Sequence, residues 1–548
     1  MNWTRPELLR EILAWLNMYE LARIRSVSVL WAKLQIPFNV VWGSFSSLER
    51  TVSVTGLPHR IRELQQTSFR TSQDVVGAES LVSRCRGLTS ATIYVTGPLY
   101  SDSLQTLSLV EIWQEYKWFF SQPSHCSILP QLRSLELYGR PECMPFVYEY
   151  LDQLEQLSIR FPGAEEASFL EAVLENHTRQ LPLRTLIMRV QDRSKDSAGK
   201  GPLVLRAVPH LERLSVNFTH VPYVGCCERL QYLVTKLCQW FDEEARAQIA
   251  TLKNLRYLSV PALSNRAMTG TQLQRLEVLW HGHVTDFDFS PFAVFYPSLV
   301  ELYLESRRGV VSEVDLRPCV HLKNLHLGKL NQTLLLLPQG LEIFSGNGEW
   351  QLTHAFWAAL ATVQSITFRT THWGCWTNIL FDSDGLIPQP QLLQLRELHC
   401  RNVSEYLLEF LARNLVAPVL DCVKIFGNLT DEFGLIIELC KNFPVRELRL
   451  ARGSSERAEV IMLLYQLERL LQTDSLGLER VYVRVHASHP EETEWIRKNL
   501  TEKPVLQHPK LKQFSFGNRN LGPSPVRPLP VEWLVEEMFS PSFLRCDF

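Results

Sequence analysis

The sequence is short of the features that mark membrane, secreted and nucleic-acid-binding proteins. No apolar run is long enough to cross a bilayer, and the first residues lack the basic flank, apolar run and cleavage site of a secretory signal. The twelve cysteines are single apart from Cys226-Cys227, so neither a disulfide framework nor a zinc site is indicated. Lysine and arginine number 56 against 58 aspartate and glutamate, and the net charge of -2 offers no general field for a phosphate backbone. We therefore expect a protein of the cytosol or nucleus, without a membrane or nucleic acid partner.

Catalytic and metal-binding signatures are missing as well. Gly199-Lys200-Gly201 lacks the first glycine and the final Ser or Thr of a phosphate-binding loop. Asp382-Ser383-Asp384-Gly385 lacks the later ligands of a calcium loop. His281-Gly282-His283 and His399-Cys400 have no further ligands or catalytic partners in register. The sequence therefore predicts no enzyme, no metal site and no cofactor.

What the sequence does contain is one apolar pattern, Leu-x-x-Leu-x-Leu with conservative replacements, repeated along most of the chain. In each copy the last two apolar residues lie two apart on a short strand and point into the core, while the first packs in the preceding turn. Fourteen copies follow one another: Leu132-Leu135-Leu137, Leu154-Leu157-Ile159, Leu183-Leu186-Met188, Leu211-Leu214-Val216, Leu255-Leu258-Val260, Leu273-Leu276-Val278, Leu299-Leu302-Leu304, Leu322-Leu325-Leu327, Val363-Ile366-Phe368, Leu395-Leu398-Cys400, Leu420-Val423-Ile425, Val445-Leu448-Leu450, Leu478-Val481-Val483 and Leu511-Phe514-Phe516. Leu341-Phe344 is a degenerate member.

This series resembles the leucine-rich-repeat proteins over roughly residues 130–520. The resemblance implies an α/β solenoid whose parallel strands line a concave face. The spacing runs from 18 residues (Leu255 to Leu273) to 44 (Leu211 to Leu255), against a family period of about 20 to 29, so we expect irregular repeats with an insertion over 218–254. The predicted organisation is an N-terminal helical module at 1–45, a linking region with the first degenerate repeats at 46–130, the solenoid at 131–520 and a C-terminal cap at 521–548.

Residues 7–34 contain three short amphipathic helices by the spacing of their apolar residues. Their order, an acidic residue, paired leucines, Ile-Leu, aromatic-Leu, a leucine-containing helix and Val-Ser-x-x-Trp, resembles the F-box family. The matching residues are Glu7, Leu8, Leu9, Ile12, Leu13, Trp15, Leu16, Leu21, Val27, Ser28 and Trp31. The segment departs from the family at Thr4-Arg5-Pro6, where a Leu-Pro pair is usual, and at Val29, where a basic residue is usual.

The F-box resemblance implies a docking site for the Skp-family adaptor that connects such proteins to a cullin scaffold. The residues it assigns to adaptor binding are Leu8, Leu9, Ile12, Leu13, Leu16, Leu21, Val27 and Trp31. The predicted function is the substrate-recognition subunit of an SCF-type E3 ubiquitin ligase, with an unidentified target protein on the concave face. The alternative is a non-ligase interaction scaffold whose N-terminal helices only cap the open end of the solenoid.

The residues flanking each inward pair are expected to face the concave side and to contact a target. In the C-terminal repeats these positions are mostly basic, and we call the following set the basic strip: Arg369, Arg401, Lys424, Arg449, Arg480 and Arg484. Only Glu397 and Glu447 oppose it. Arginine clusters bind acidic or phosphorylated segments, whereas a solvated face of weak ion pairs is the alternative. In the unit Leu273-Leu276-Val278 the same rule selects Arg275 and Glu277.

Overall fold

A computed structural model describes about half of the chain. The described residues are 38–42, 61–66, 82–93, 99–109, 128–138, 144–161, 170–190 except 171, 173, 176 and 178, 205–216, 223–235, 247–263 except 250, 273–284, 297–305, 313–350, 353–369, 390–401, 405–427, 429–452, 465–470 except 468, 477–485 and 513–518. The chain divides into two compact units, Met1–Leu276 and Glu277–Phe548. Among the described residues, no helix combines the length and the apolar character needed to cross a membrane.

The described residues of the first unit form ten strands that follow one another in a parallel ladder. They are β1 (Phe38–Trp42), β2 (Ile61–Gln66), β3 (Ser90–Ile93), β4 (Thr106–Leu109), β5 (Ser134–Tyr138), β6 (Gln156–Phe161), β7 (Thr185–Val190), β8 (Arg213–Val216), β9 (Tyr232–Thr235) and β10 (Tyr257–Leu263). Each strand pairs with the next one along the chain. One helix of this unit, α1 (Met144–Tyr150), connects β5 to β6.

The described residues of the second unit form eleven strands. They are β11 (Val278–Val284), β12 (Glu301–Glu305), β13 (Glu313–Asp315), β14 (Asn324–Leu336), β15 (Ile343–Trp350), β16 (Ser365–Arg369), β17 (Glu397–Arg401), β18 (Cys422–Phe426), β19 (Glu447–Arg452), β20 (Arg480–Val485) and β21 (Gln513–Asn518). The ladder runs in sequence order except that β12 pairs directly with β14, while β13 pairs with the C-terminal part of β14. The return segments include α2 (His354–Ala359), α3 (Glu405–Asn414) and α4 (Leu429–Asn442).

The α/β class and the parallel repeat ladder are therefore confirmed. The apolar pattern predicts such strands, because its last two apolar residues are buried and alternate with more exposed ones, as they do on β3, β4, β6, β7, β8, β16 and β17. Ile366 and Phe368 on β16, for example, are fully buried between half-exposed neighbours. Helix α2 covers the same side of the sheet, since the Trp357 ring lies 6.1 Å from that of Phe368. In this repeat the buried side of the strand thus faces a return helix, and we call the opposite side of the sheet, with its half-exposed residues, the open face.

One predicted repeat lies in the wrong register. The expected triplet was Leu273-Leu276-Val278, but Leu279 pairs with Leu302 and is buried, while Val278 pairs with Glu301. Leu276 occupies the turn position, because its N–H donates to the carbonyl of Leu273 at 3.0 Å, as that of Leu322 does to Cys319. Arg275 and Glu277, predicted to lie on the concave side of this strand, therefore precede it. Val278 and Trp280 occupy those positions instead.

Strand β1 lies within the segment expected to be the helical module, 1–45, and β2 lies in the segment 46–130, where degenerate repeats were expected without being located. Three further repeats were likewise not located from the sequence. Leu88-Ala91-Ile93 and Leu104-Leu107-Leu109 place β3 and β4 in the segment 46–130, and all six side chains are buried. Leu230-Leu233-Thr235 forms β9 within the segment 218–254, where we expected an insertion. The expected insertion is wrong, since this segment contains a repeat of its own. The pattern is hidden in the sequence because the fully buried Thr235 replaces its last apolar residue.

A row of residues directly before the strands connects successive repeats in both units. The carbonyl of Arg133 accepts hydrogen bonds from the N–H groups of Glu155 and Gln156, at 2.7 and 2.9 Å, and the same double acceptance recurs from repeat to repeat. Side chains of opposite charge often follow one another in this row, which we call the rim row. Its ion pairs are Arg133 with Glu155 at 2.6 Å, Arg184 with Glu212 at 3.6 Å, Lys323 with Glu342 at 2.5 Å and Arg446 with Asp421 at 3.7 Å.

Candidate binding surface

The open face of the second unit is formed by the residues of β16–β20 that alternate with the buried ones. Strand register arranges them in three rows across the sheet, about 4.8 Å from strand to strand. The first row holds Glu397, Cys422, Glu447 and Arg480, the second His399, Lys424, Arg449 and Tyr482, and the third Arg369, Arg401, Phe426 and Ala451. The basic strip is thus brought to one face but spread over all three rows. Arg484 belongs to the third row by register, and its side chain lies outside the described residues.

Glu447 is the centre of the first ion-pair network on this face. The Nε atom of Arg480, one strand away, donates to Glu447 Oε2 at 2.7 Å, and the Arg449 guanidinium donates to Oε1. Asp421, in the rim row, adds a carboxylate oxygen 3.9 Å from Arg480. The side chain of Glu447 is only 9% exposed, so its charge is compensated by these two arginines rather than by water.

Lys424 is neutralised in the same manner. Its ammonium group lies 2.9 Å from Glu397 Oε2 on the neighbouring strand, and its side chain is 26% exposed. Three cations of the basic strip, Lys424, Arg449 and Arg480, therefore face three carboxylates, of which the sequence analysis had recognised two. Asp421 was missed because it precedes its strand.

Two aromatic rings hold arginine side chains of this face. The guanidinium carbon of Arg449 lies 5.3 Å from the centre of the Tyr482 ring, and that of Arg401 lies 4.8 Å from the centre of the Phe426 ring. Stacking on an aromatic ring fixes the plane of a guanidinium but leaves the N–H groups at its edge able to donate. Arg401 is therefore oriented by an apolar neighbour rather than by a carboxylate.

His399 and Cys422 add no charge to this surface at neutral pH. Burial, followed by the nearby Lys424, lowers the pKa of His399 to about 4, so the imidazole is neutral. Burial raises the pKa of the Cys422 thiol to about 12, and the thiol donates a weak hydrogen bond to Glu447 Oε1 at 3.8 Å. Neither group is prepared to act as a base or a nucleophile here.

Arg369 and Arg401 differ from the other members of the basic strip. They are paired residues on β16 and β17, so they stand side by side in the third row. Within the described part of the chain, no carboxylate lies within ion-pair distance of either guanidinium. The positive charge of the strip is therefore concentrated at this end of the strands.

The first unit carries a comparable pair of arginines in a different electrostatic setting. Arg160 on β6 and Arg189 on β7 are also register partners in the last open position of their strands. Glu136 on β5 lies 3.7 Å from Arg160 and accepts a hydrogen bond from Ser108 at 3.1 Å. This pair has a carboxylate beside it, which makes it a natural control for Arg369 and Arg401.

The remaining predicted site residues are not placed. The eight residues assigned to adaptor binding, Leu8, Leu9, Ile12, Leu13, Leu16, Leu21, Val27 and Trp31, lie outside the described residues. The same holds for residues 199–201 and 382–385, and His281 and His283 lie on β11 with side chains that are not described. Over the residues that the structure describes, no group of three or more His, Cys, Asp or Glu side chains could hold a metal ion.

The Cys226-Cys227 pair differs from the other described cysteines in that one of its thiols has a lowered pKa. Cys226 is exposed, and its sulfur lies 3.9 Å from that of the buried Cys227. A hydrogen bond from the Cys227 thiol and the nearby Arg206 lower the pKa of Cys226 to about 7, whereas burial raises that of Cys85, Cys319, Cys422 and Cys440 to about 12. The sequence showed the pair but not its asymmetry.

Alkylation by iodoacetamide should therefore modify Cys226 before the buried thiols, with a rate that rises around pH 7 because the thiolate is the reacting form. Peptide mass spectrometry across pH 5.5 to 9 measures this profile. Replacing Cys227 by alanine removes the hydrogen-bond donor, so the midpoint should move towards the ordinary thiol value of about 8.5. An unchanged midpoint in that variant would show that the neighbouring thiol has no effect.

The open face of the second unit is thus a partly neutralised charged surface, and the two arginines without a carboxylate partner among the described residues, Arg369 and Arg401, lie at one end of it. Such a surface can hold an anionic ligand. A scan against protein-family models and a search of curated proteins give no match to this chain.

Proposed function

We propose that this chain is the substrate-recognition subunit of an SCF-type E3 ubiquitin ligase. In this proposal the N-terminal helices bind a Skp-family adaptor and, through it, a cullin scaffold, while the repeats hold a target protein and catalysis belongs to other subunits. The observation that supports a binding role best is the open face of β16–β20, where charged and aromatic side chains stand in register on a rigid ladder. The adaptor role rests on the sequence of residues 7–31, and the proposed location is the cytosol or nucleus.

One observation favours the alternative, a scaffold without a ligase. Strand β1 begins at Phe38 and already pairs with β2, so the segment predicted to form the N-terminal helices directly precedes, in sequence, the first described strand of the ladder. A solenoid needs a cap at its open end, and helices in this position could fulfil that role alone. The two functions differ in whether the helices bind a second protein.

Co-purification with a recombinant Skp-family adaptor tests the proposal. We expect the full-length chain to retain the adaptor, and the double variant L9E/I12E to lose it, because a few buried apolar anchors usually carry such an interface. The matched control is the double variant V320E/L393E, since Val320 and Leu393 are 69% and 56% exposed in the second unit. It introduces the same two charges, and we expect it to retain the adaptor.

Thermal unfolding separates binding from folding in this experiment. Loss of the adaptor by L9E/I12E with an unchanged melting temperature supports the ligase function. No retention by the wild-type chain, or equal retention by wild type and L9E/I12E, contradicts it, and a lower melting temperature with unchanged adaptor binding favours the cap.

A further inference from the structure

The third row of the open face contains two neighbouring cations, Arg369 and Arg401, for which the described residues supply no carboxylate partner. Arg369 and Arg401 are paired residues on adjacent parallel strands, so their backbones are about 4.8 Å apart. Both side chains are partly exposed, and the described residues place no carboxylate within ion-pair distance of either one. Two guanidinium groups at this spacing can bind one tetrahedral anion from two sides, each with two N–H groups.

Arg401 is prepared for such a contact by Phe426. The guanidinium lies over the ring of Phe426, its partner on the next strand, with 4.8 Å between the guanidinium carbon and the ring centre. This arrangement restricts the side chain without using its N–H donors, so little rotamer freedom remains to be lost on binding. Phe426 also gives the site an apolar border on the side away from Arg369.

The first two rows determine which kind of anion fits. Lys424, Arg449 and Arg480 are already compensated by Glu397, Glu447 and Asp421. These carboxylates lie across the same strands and would repel a nucleic acid backbone, which needs a continuous series of cations. A single dianionic group flanked by uncharged residues can bind at the third row without facing these carboxylates. A phosphorylated side chain on a protein segment meets this requirement, because its phosphate carries a charge of about -1.5 to -2 at pH 7.

We propose that Arg369 and Arg401 form a phosphate-binding site that recognises a phosphoserine or phosphothreonine on a segment of a partner protein. Phe426 borders the site and contacts an uncharged residue next to the modified one. This inference rests on the proposed function only in that the partner would be the ligase target, since the site itself requires no adaptor. It also assigns recognition to one end of the basic strip, whereas the middle of the strip stabilises the sheet.

The test is fluorescence polarisation of the full-length chain with labelled ten-residue peptide pools that carry a central phosphoserine, phosphothreonine, serine or glutamate between degenerate uncharged residues. At 150 mM salt we expect the phosphorylated pools to bind on the order of 10-fold more tightly than the serine pool. The double variant R369Q/R401Q should abolish that preference, because both forks are removed. The variant R369K/R401K, which keeps the charge without the fork, should retain only part of it.

The matched control is R160Q/R189Q, which removes a register pair of exposed arginines from the first unit. Because Glu136 lies beside that pair, this variant should keep the phosphopeptide preference of the wild type. Melting temperatures of all variants show whether they are folded. Equal binding of phosphorylated and unphosphorylated pools, or equal loss in both glutamine double variants, would overturn the assignment.

Two competitors distinguish the phosphorylated segment from other anions. Inorganic phosphate should displace the peptides only at millimolar concentration, and a ten-nucleotide uridine RNA should compete poorly because of the carboxylates nearby. Displacement by inorganic phosphate at the concentration of the peptide itself, or stronger binding of the RNA, would contradict the proposal. The adaptor is not present in this experiment, so the absence of a phosphopeptide preference would contradict the phosphate site but not the ligase function. Conversely, failure of adaptor co-purification would contradict the ligase function but not the phosphate site.

Discussion

Replacing Phe344 by alanine is expected to lower the free energy of unfolding by about 3–5 kcal/mol, the usual cost of removing a buried phenylalanine side chain. The ring is fully buried and lies 5.5 Å from that of Phe356 and 6.4 Å from that of Phe368. The next inward position of β15 is Gly346, so no side chain of the same strand can fill the cavity. Urea unfolding followed by circular dichroism measures the change.

Ile343 provides the control for this prediction. It precedes Phe344 on β15, points to the opposite face and is 37% exposed. Ile343→Ala should change the free energy of unfolding by no more than about 1 kcal/mol, because it creates no buried cavity. Similar losses in the two variants would mean that burial on one side of the strands is not what stabilises the second unit.

Glutamine in place of Glu447 is expected to have the second largest effect, a loss of about 2 kcal/mol in the free energy of unfolding. The substitution keeps the size of the side chain but removes the negative charge that faces Arg449 and Arg480. Breaking a buried ion pair leaves its partners uncompensated, although both arginines retain some contact with water, which moderates the loss. Thermal and urea unfolding at low and high salt measure it.

The control here is Glu342→Gln, which removes an ion pair of the rim row in the same unit. Lys323 and Glu342 are 2.5 Å apart, but their side chains are 55% and 43% exposed. An exposed pair contributes about 0–1 kcal/mol, so this variant should be close to wild type in stability. If both glutamine variants lost the same amount, the low exposure of Glu447 would have no energetic importance.

Most strands of the repeat ladder could be predicted from the sequence, because the pattern that defines each strand lies within a few consecutive residues. Three apolar residues at fixed spacing define a turn and a strand, and this unit is repeated often enough to exclude chance. The pattern failed where it is ambiguous, as around Leu276, which fits two overlapping triplets. The predicted triplet ends in Val278. The hydrogen-bonded turn at Leu273 and the strand register instead give the triplet Leu276-Leu279-His281.

The candidate site could be predicted only in part because its energetics are not local. The periodicity predicts that Arg369, Arg401 and their neighbours lie on one face, and strand register aligns the described members in rows across the sheet. Whether a cation of this face has a carboxylate partner depends on residues that are distant in sequence. Glu397 pairs with Lys424, 27 residues away, and Glu447 pairs with Arg480, 33 residues away. The stacking of Arg401 on Phe426 depends likewise on strand register, which no single repeat reveals.

The rim row has a consequence for how this chain could have diversified. Duplicating a single repeat would place two copies of the same rim residue side by side, so that Arg133 would meet a second arginine where it now meets Glu155. Duplicating two neighbouring repeats together would preserve the alternation of charge. Like charges on adjacent strands are unfavourable, so such a ladder is expected to grow or shrink by pairs of repeats more readily than by single ones.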